Sequence, residues 1–149
     1  MKHINKDITT VEEGLVIHGV NCQAVMGSGV ALAIRNKWPI VYERYLKNGK
    51  GSDLLGSTHI ISVDENLYVA NCYTQDTFGG DPRVKYASLD AVRESLDGVF
   101  SWASTLDLII YTPLIGCGLG GLDWKDVEKI FEEKIEEYGY DSVIVCHHK

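Results

Sequence analysis

Along this chain short apolar runs take turns with longer stretches in which apolar residues recur every third or fourth position. The first kind predicts strands and the second helices. Leu15, Val16, Ile17 and Val20 read as a buried central strand (15–20), as do residues 106–111 (LDLIIY), with shorter strands at 1–4 and 142–146. Residues 58–63 and 67–72 flank the turn Asp64-Glu65-Asn66 and predict a hairpin. A helix is expected over 29–37, with Val30, Ala31, Ile34 and Trp38 inward and Arg35 and Lys37 outward. Pro39 ends it or starts the next helix, which Val41, Tyr45 and Leu46 support until Asn48-Gly49-Lys50-Gly51. Leu89, Val92, Leu96, Val99, Phe100 and Ala103 define a long helix over 85–104, and Val127, Ile130, Phe131, Ile135 and Tyr138 a last one capped by Asp123. Residues 73–83 (YTQDTFGGDPR) read as a loop that nonetheless carries Tyr73 and Phe78.

Strands alternating with helices imply one α/β domain over 1–149, a three-layer α/β/α arrangement around a mixed sheet. Within that frame two glycine-rich stretches stand out. Met26-Gly27-Ser28-Gly29 and Ile115-Gly116-Cys117-Gly118-Leu119-Gly120-Gly121 each follow a strand that reads as central and precede a helix. Glycine lets a ligand approach the backbone, and a helix start offers outward N–H groups with partial positive charge, so such loops suit phosphate. In open α/β sheets ligands sit beyond the carboxyl ends of the strands. Two anion-binding loops facing one crevice therefore suggest a diphosphate. The loops fit neither common nucleotide fingerprint. The third glycine of a GxGxxG would fall at Leu32, and no GxxxxGK[ST] can be written around Gly49-Lys50-Gly51-Ser52.

Charge narrows the ligand further. The net charge is −7 with a pI near 5.1, and Glu132, Glu133, Glu136 and Glu137 crowd the last helix. A surface of that sign repels a nucleic-acid backbone, which disfavours extended DNA or RNA but leaves a small anion bound by backbone amides. The N-terminus has no apolar signal core and no run reaches the length of a membrane span, so a cytoplasmic, monomeric protein is expected. Cys22, Cys72, Cys117 and Cys146 lie apart without a CxxC pair and read as reduced thiols. Cys146-His147-His148 offers metal ligands, though a frayed tail is the favoured reading; with no HExxH or aspartate cluster, neither metal nor cofactor is expected.

Taken in order, Asp7-Ile8-Thr9 ahead of a strand, VNCQAVMGSGVALAI, and PLIGCGLGGLDW before the last helix resemble the macrodomain family, whose members bind ADP-ribose. The HGVNC run, NCYTQDTFGG and GCGLGGLDW are most similar to the branch of ADP-ribose 1''-phosphate phosphatases and terminal ADP-ribose protein glycohydrolases. The resemblance implies that Asp7 accepts a hydrogen bond from the adenine amino group, with a backbone contact from Ile8. It places Gly27, Ser28, Gly29 and Val30 against the distal ribose and a phosphate, and Gly116, Cys117, Gly118, Leu119 and Gly120 at the second phosphate loop. Asn21 faces the distal ribose, and Phe78 belongs to the third loop. His18 matches a histidine implicated in catalysis, and Asp81, after Phe78-Gly79-Gly80, is the candidate acid on the third loop. Plainer readings stand next to these: Asp7 as a cap, Asn21 as a loop-structuring side chain, His18 as a satisfied core residue, Asp81 as a turn former before Pro82.

Departures from the family pattern carry equal weight. Glycohydrolase members use a lysine with an aspartate in the second glycine loop; here the acid position is Gly120, and YTQDTFGG has no lysine, although Lys85 follows shortly. Another branch uses an aspartate where this chain has Ala31. What is left is removal of phosphate from ADP-ribose 1''-phosphate, plain ADP-ribose reading, or hydrolysis of ADP-ribosyl esters by other groups.

Overall fold

The computed structural model describes residues 1–148; Lys149, the last residue of the expected domain, lies outside the described residues. Six strands, β1 (Lys2–Asn5), β2 (Gly14–Asn21), β3 (Thr58–Asp64), β4 (Leu67–Gln75), β5 (Ile110–Thr112) and β6 (Val143–His147), form one sheet in the order β1-β6-β5-β2-β4-β3. All neighbours run parallel except the β3–β4 hairpin, which gives the mixed sheet expected. Four helices cover it: α1 (Gly29–Lys37), α2 (Pro39–Lys47), α3 (Leu89–Leu106) and α4 (Trp124–Tyr138).

Alternation along the strands sorts the core into two layers. Leu15 and Ile17 of β2 and Ala70 and Cys72 of β4 face α3 and α4, where they meet Leu96, Phe100, Val127 and Phe131. Val16, Val20, Val69 and Tyr73 face α1 and α2, where they meet Ile34, Trp38, Val41 and Tyr45. No helix among the described residues is long and apolar enough to cross a membrane.

Several boundaries differ from the sequence expectation. β4 runs on to Gln75, so Tyr73 is a fully buried strand residue and the third loop starts later. α3 begins at Leu89 because Ser88 caps it, its hydroxyl accepting from the Ala91 N–H. It also extends through Leu106 and ends at Asp107 in the left-handed region (φ 56°), which shortens β5 to three residues and leaves Leu106 and Ile109 exposed. Val30 and Leu46 point outward, not into the core. Lys134 joins the inner face of α4 instead, its ammonium donating to Asp97 (3.2 Å) and Glu137 (3.3 Å). The expected frayed tail is a strand up to His147: Cys146 is buried in β6, and His147 shares a 2.8 Å hydrogen bond with His3.

Candidate active site

Five parallel strands bring their carboxyl ends to one edge. The neighbours β5, β2 and β4 release the second glycine loop, the first glycine loop and the 76–88 loop side by side. β1 releases Asp7 at the far end. Three strand steps separate it from β2, about 14 Å at ~4.8 Å each. That span suits an extended ligand with one end at Asp7 and the other at Asn21.

At the β1 end, Asp7 caps the 3-10 turn Ile8–Thr10. Its Oδ1 accepts from the Thr9 N–H (3.0 Å) and the Thr9 hydroxyl (2.8 Å), and these bonds hold its carboxyl below the usual carboxylate range. Both fall on one oxygen, so capping and ligand binding are compatible. Ile8 is buried beside it.

The first loop is tied down on several sides. Asn21 accepts at Oδ1 from the Gln23 N–H (2.9 Å) and donates through Nδ2 to the Val25 carbonyl (2.8 Å). The Cys22 N–H donates to Gln75 and Asp76 carbonyls, while the Cys22 carbonyl accepts from Gly51. Ala24 sits at φ 61°, unusual for a residue with a side chain, and marks how tightly the chain turns. Gly27, Ser28, Gly29 and Val30 then lie exposed at the start of α1, and the Ser28 hydroxyl makes no cap bond there.

In the second loop Gly116 takes φ 77° with Leu122 and Ala87 packed around it. At Gly120 a Cβ would stand 2.5 Å from the Gly116 carbonyl oxygen and 3.0 Å from Ala87. Any side chain there, an acid included, would force the loop open. Gly118 and Leu119 are exposed, whereas the half-buried Cys117 thiol donates to the Ile115 carbonyl and burial pushes its pKa up to about 11. It is no thiolate nucleophile. Lys85 lies against this loop: its Cα is 3.2 Å from where a Cβ on Gly121 would be.

In the third loop Phe78 is exposed, and Asp81 forms a two-pronged pair with Arg83 (Nη2 to Oδ2 2.9 Å, Nε to Oδ1 3.1 Å). The guanidinium keeps the Asp81 carboxyl below its ordinary range, so it is a carboxylate at neutral pH. The Tyr86 hydroxyl accepts from the Asp81 N–H (3.3 Å), a support that nothing in the sequence pattern flagged.

His18 is placed elsewhere than expected. A register irregularity between Val20 and Asn21 turns the Asn21 side chain toward Tyr45 of α2, while His18 sits deeper in the sheet, bonded to Asn71 and not to Asn21. His18 points under α1 and α2, with its Nε2 2.6 Å from Asn71 Oδ1 on the neighbouring strand, and 1% of its surface is exposed. Burial drives its pKa down to about 4, which makes it a neutral imidazole. The ring is sealed in the core. Among the described residues no three His, Cys, Asp or Glu side chains gather closely enough to hold a metal.

An α/β/α domain with glycine-rich loops at neighbouring strand ends belongs to the open-sheet class whose ligand crevice lies outside the carboxyl ends of the strands. More narrowly, the chain belongs to the Macro domain family, whose profile matches residues 17–131; Asp7 and Ile8 precede the matched region. A DNA ADP-ribosyl glycohydrolase of Mycobacterium tuberculosis is 28% identical over 127 residues, which is 83% of this chain but 35% of that protein. The chain thus spans about a third of the length of the mycobacterial relatives it matches. An ADP-ribose 1''-phosphate phosphatase of Candida albicans is 29% identical over 126 residues, 80% of each chain. Among solved structures, the DarG macrodomain of M. tuberculosis superposes with a TM-score of 0.79 at 21% identity, covering 97% of this chain and 95% of that one.

Proposed function

We propose that this chain binds ADP-ribose along the carboxyl edge of its sheet and hydrolyses ADP-ribose 1''-phosphate to ADP-ribose and inorganic phosphate. The observation that carries the reading is the release of both glycine loops from the adjacent parallel strands β2 and β5, with Asp7 about 14 Å away across the same edge. In this reading Asp7 and Ile8 take the adenine, the two loops take the phosphates, and Asn21, Val30 and Phe78 border the distal ribose. Likeness to the Candida phosphatase over most of both chains supports the substrate, and so does the lack of room for an acid at Gly120.

For the chemistry, water attacks phosphorus, the bond from phosphorus to the C1'' oxygen breaks, and the released oxygen takes up a proton to become the anomeric hydroxyl. Phosphoryl transfer passes through a loose transition state whose charge lies on the equatorial oxygens, so positioned N–H groups supply most of the stabilisation. Asp81, ionised, is assigned to orient the water. His18 supports β2 from beneath and moves no proton. Resident metal has no part in this reading, and the protein works as a cytoplasmic monomer.

The test is phosphate release from ADP-ribose 1''-phosphate in chelator, with ADP-ribose binding followed by calorimetry on the same sample. Binding with release is expected. Binding without release would demote the protein to a reader, and no binding would overturn the reading altogether. A second reading, hydrolysis of ADP-ribosyl groups on nucleic acid or protein, draws on the mycobacterial likeness and on Lys85 beside the second loop. Loss of label from an ADP-ribosylated oligonucleotide or protein would favour it.

A further inference from the structure

We infer that Tyr45, on the buried face of α2, is a positioning residue for the site: its hydroxyl fixes Asn21 and through it the turn that presents the first glycine loop. The inference deepens the ADP-ribose reading and rests on it for the identity of the ligand.

Tyr45 lies among the core side chains of the α1/α2 layer and is fully buried, with its ring 5.9 Å from that of Tyr73. Packing alone would be served by phenylalanine. The hydroxyl instead reaches the end of β2, 2.6 Å from the Asn21 carbonyl oxygen and 2.8 Å from Asn21 Oδ1. A buried hydroxyl must find a partner, and here both acceptors belong to one residue. That residue is the hub of the turn. The same Oδ1 accepts from the Gln23 and Val25 N–H groups (2.9 and 3.4 Å), and one Nδ2 hydrogen goes to the Val25 carbonyl (2.8 Å). The amide keeps its second hydrogen for a ligand, pointed by the bonds already made. Between these anchors the backbone is held in an unfavourable state at Ala24 (φ 61°), which persists only when its surroundings over-determine it. Two residues past the turn come Gly27 and then the amides at the start of α1.

The geometry therefore separates Tyr45 from ordinary core aromatics. Removing its oxygen should leave the fold standing while loosening the distal-ribose end of the site. Asp7, three strands away, should not feel the change.

The experiment compares wild type, Tyr45→Phe, Asn21→Ala and the double variant, with ADP-ribose and AMP titrated by calorimetry and amide exchange measured on the ligand-free proteins. Tyr45→Phe should weaken ADP-ribose roughly three- to tenfold, the worth of one neutral hydrogen bond, and leave AMP unchanged. In the Asn21→Ala background it should add less than it does alone, because the part of its hold that runs through the Asn21 side chain is already gone while the bond to the Asn21 carbonyl remains. The Gln23 and Val25 amides should exchange several-fold faster. Unchanged ADP-ribose affinity, equal weakening of AMP, full additivity in the double variant, or unaltered exchange at Gln23 and Val25 would each overturn the inference. If wild type bound no ADP-ribose, the function reading would fall, and the exchange data would still decide whether Tyr45 holds the turn.

Discussion

Against α3 and α4 the sheet presents Leu15, Ile17, Ala70, Cys72 and Ile110, all buried, and they meet Val92, Leu96, Phe100, Val127 and Phe131. Against α1 and α2 the same strands present His18, Asn71 and Tyr73 among their valines, and Tyr45 and Asn21 continue the polar line to the strand ends. Two buried polar atoms lack a partner among the described residues, His18 Nδ1 and Asn71 Nδ2, and both belong to this second layer. Unsatisfied buried groups cost stability, so a layer that carries them is not optimised for packing alone. The contrast teaches where each function resides: the apolar layer holds the fold, and the polar layer reaches the first glycine loop and holds its turn.

The largest effect should come from damaging the apolar layer. Phe131 is fully buried and packs against Phe100 and Trp124, so Phe131→Ala should cost roughly 3–5 kcal/mol in chemical denaturation. The molecules that remain folded should bind ADP-ribose as before. A loss under about 1 kcal/mol would mean that the two layers share the burden, contrary to the comparison.

Acid should strike the polar layer next. The unfolded His18 has an ordinary pKa near 6.5 and the folded one about 4, so the unfolded chain takes up a proton first as pH falls. The contribution is fully present above pH 6.5, is lost between 6.5 and about 4, and amounts to something on the order of 3 kcal/mol. His59, also shifted down by burial, loses its contribution as pH falls below 6.5; Asp7, Asp81 and Asp97, whose pKa values are lowered, lose theirs below their unfolded value of 3.8. His18→Gln, which can keep the bond to Asn71 without titrating, should flatten the decline. An equally steep profile in that variant would remove His18 from the account.

At the far end of the edge, Asp7→Ala should weaken ADP-ribose roughly ten- to a hundredfold, the value of a charge-assisted hydrogen bond. It should weaken AMP by the same factor, where changes around Asn21 should spare AMP. Unchanged affinity would mean that Asp7 serves only as the cap of the Ile8–Thr10 turn.

These residues differ in how visible they are before folding. Strands, helices and glycine loops show in the sequence because periodicity and turn chemistry are local, and α1 runs over the expected Gly29–Lys37. Asp123 caps α4 as expected, its side chain accepting from the Lys125 N–H. β5 misleads because an apolar run can end a helix as well as build a strand. Tyr45 reads from its spacing as one more core aromatic; its hydroxyl acquires meaning only when α2 crosses the end of β2. His18 is harder to read in the opposite direction. A histidine three residues before a site asparagine looks close to it in sequence, and only the register that sets it against Asn71 reveals how deeply it is buried.

The smallest effect tests which layer supplies the reacting group. Asp81 belongs to neither core layer; it rides on the third loop, and Arg83 holds its carboxyl below the ordinary range. At neutral pH Asp81 is ionised with or without that partner, so Arg83→Gln should change phosphate release there by less than about threefold, as expected for an exposed pair. The acidic limb of the rate profile is the place to look. With the guanidinium gone, the Asp81 pKa rises toward its unpaired value, and the limb should move to higher pH. Concentrated salt should shift the wild-type limb in the same direction by screening the pair. Were His18 the group that titrates, the limb would follow a buried imidazole, blind to Arg83 and to salt. A limb that stays in place in Arg83→Gln and moves in His18→Gln would return proton transfer to the polar layer and break the division of labour drawn here.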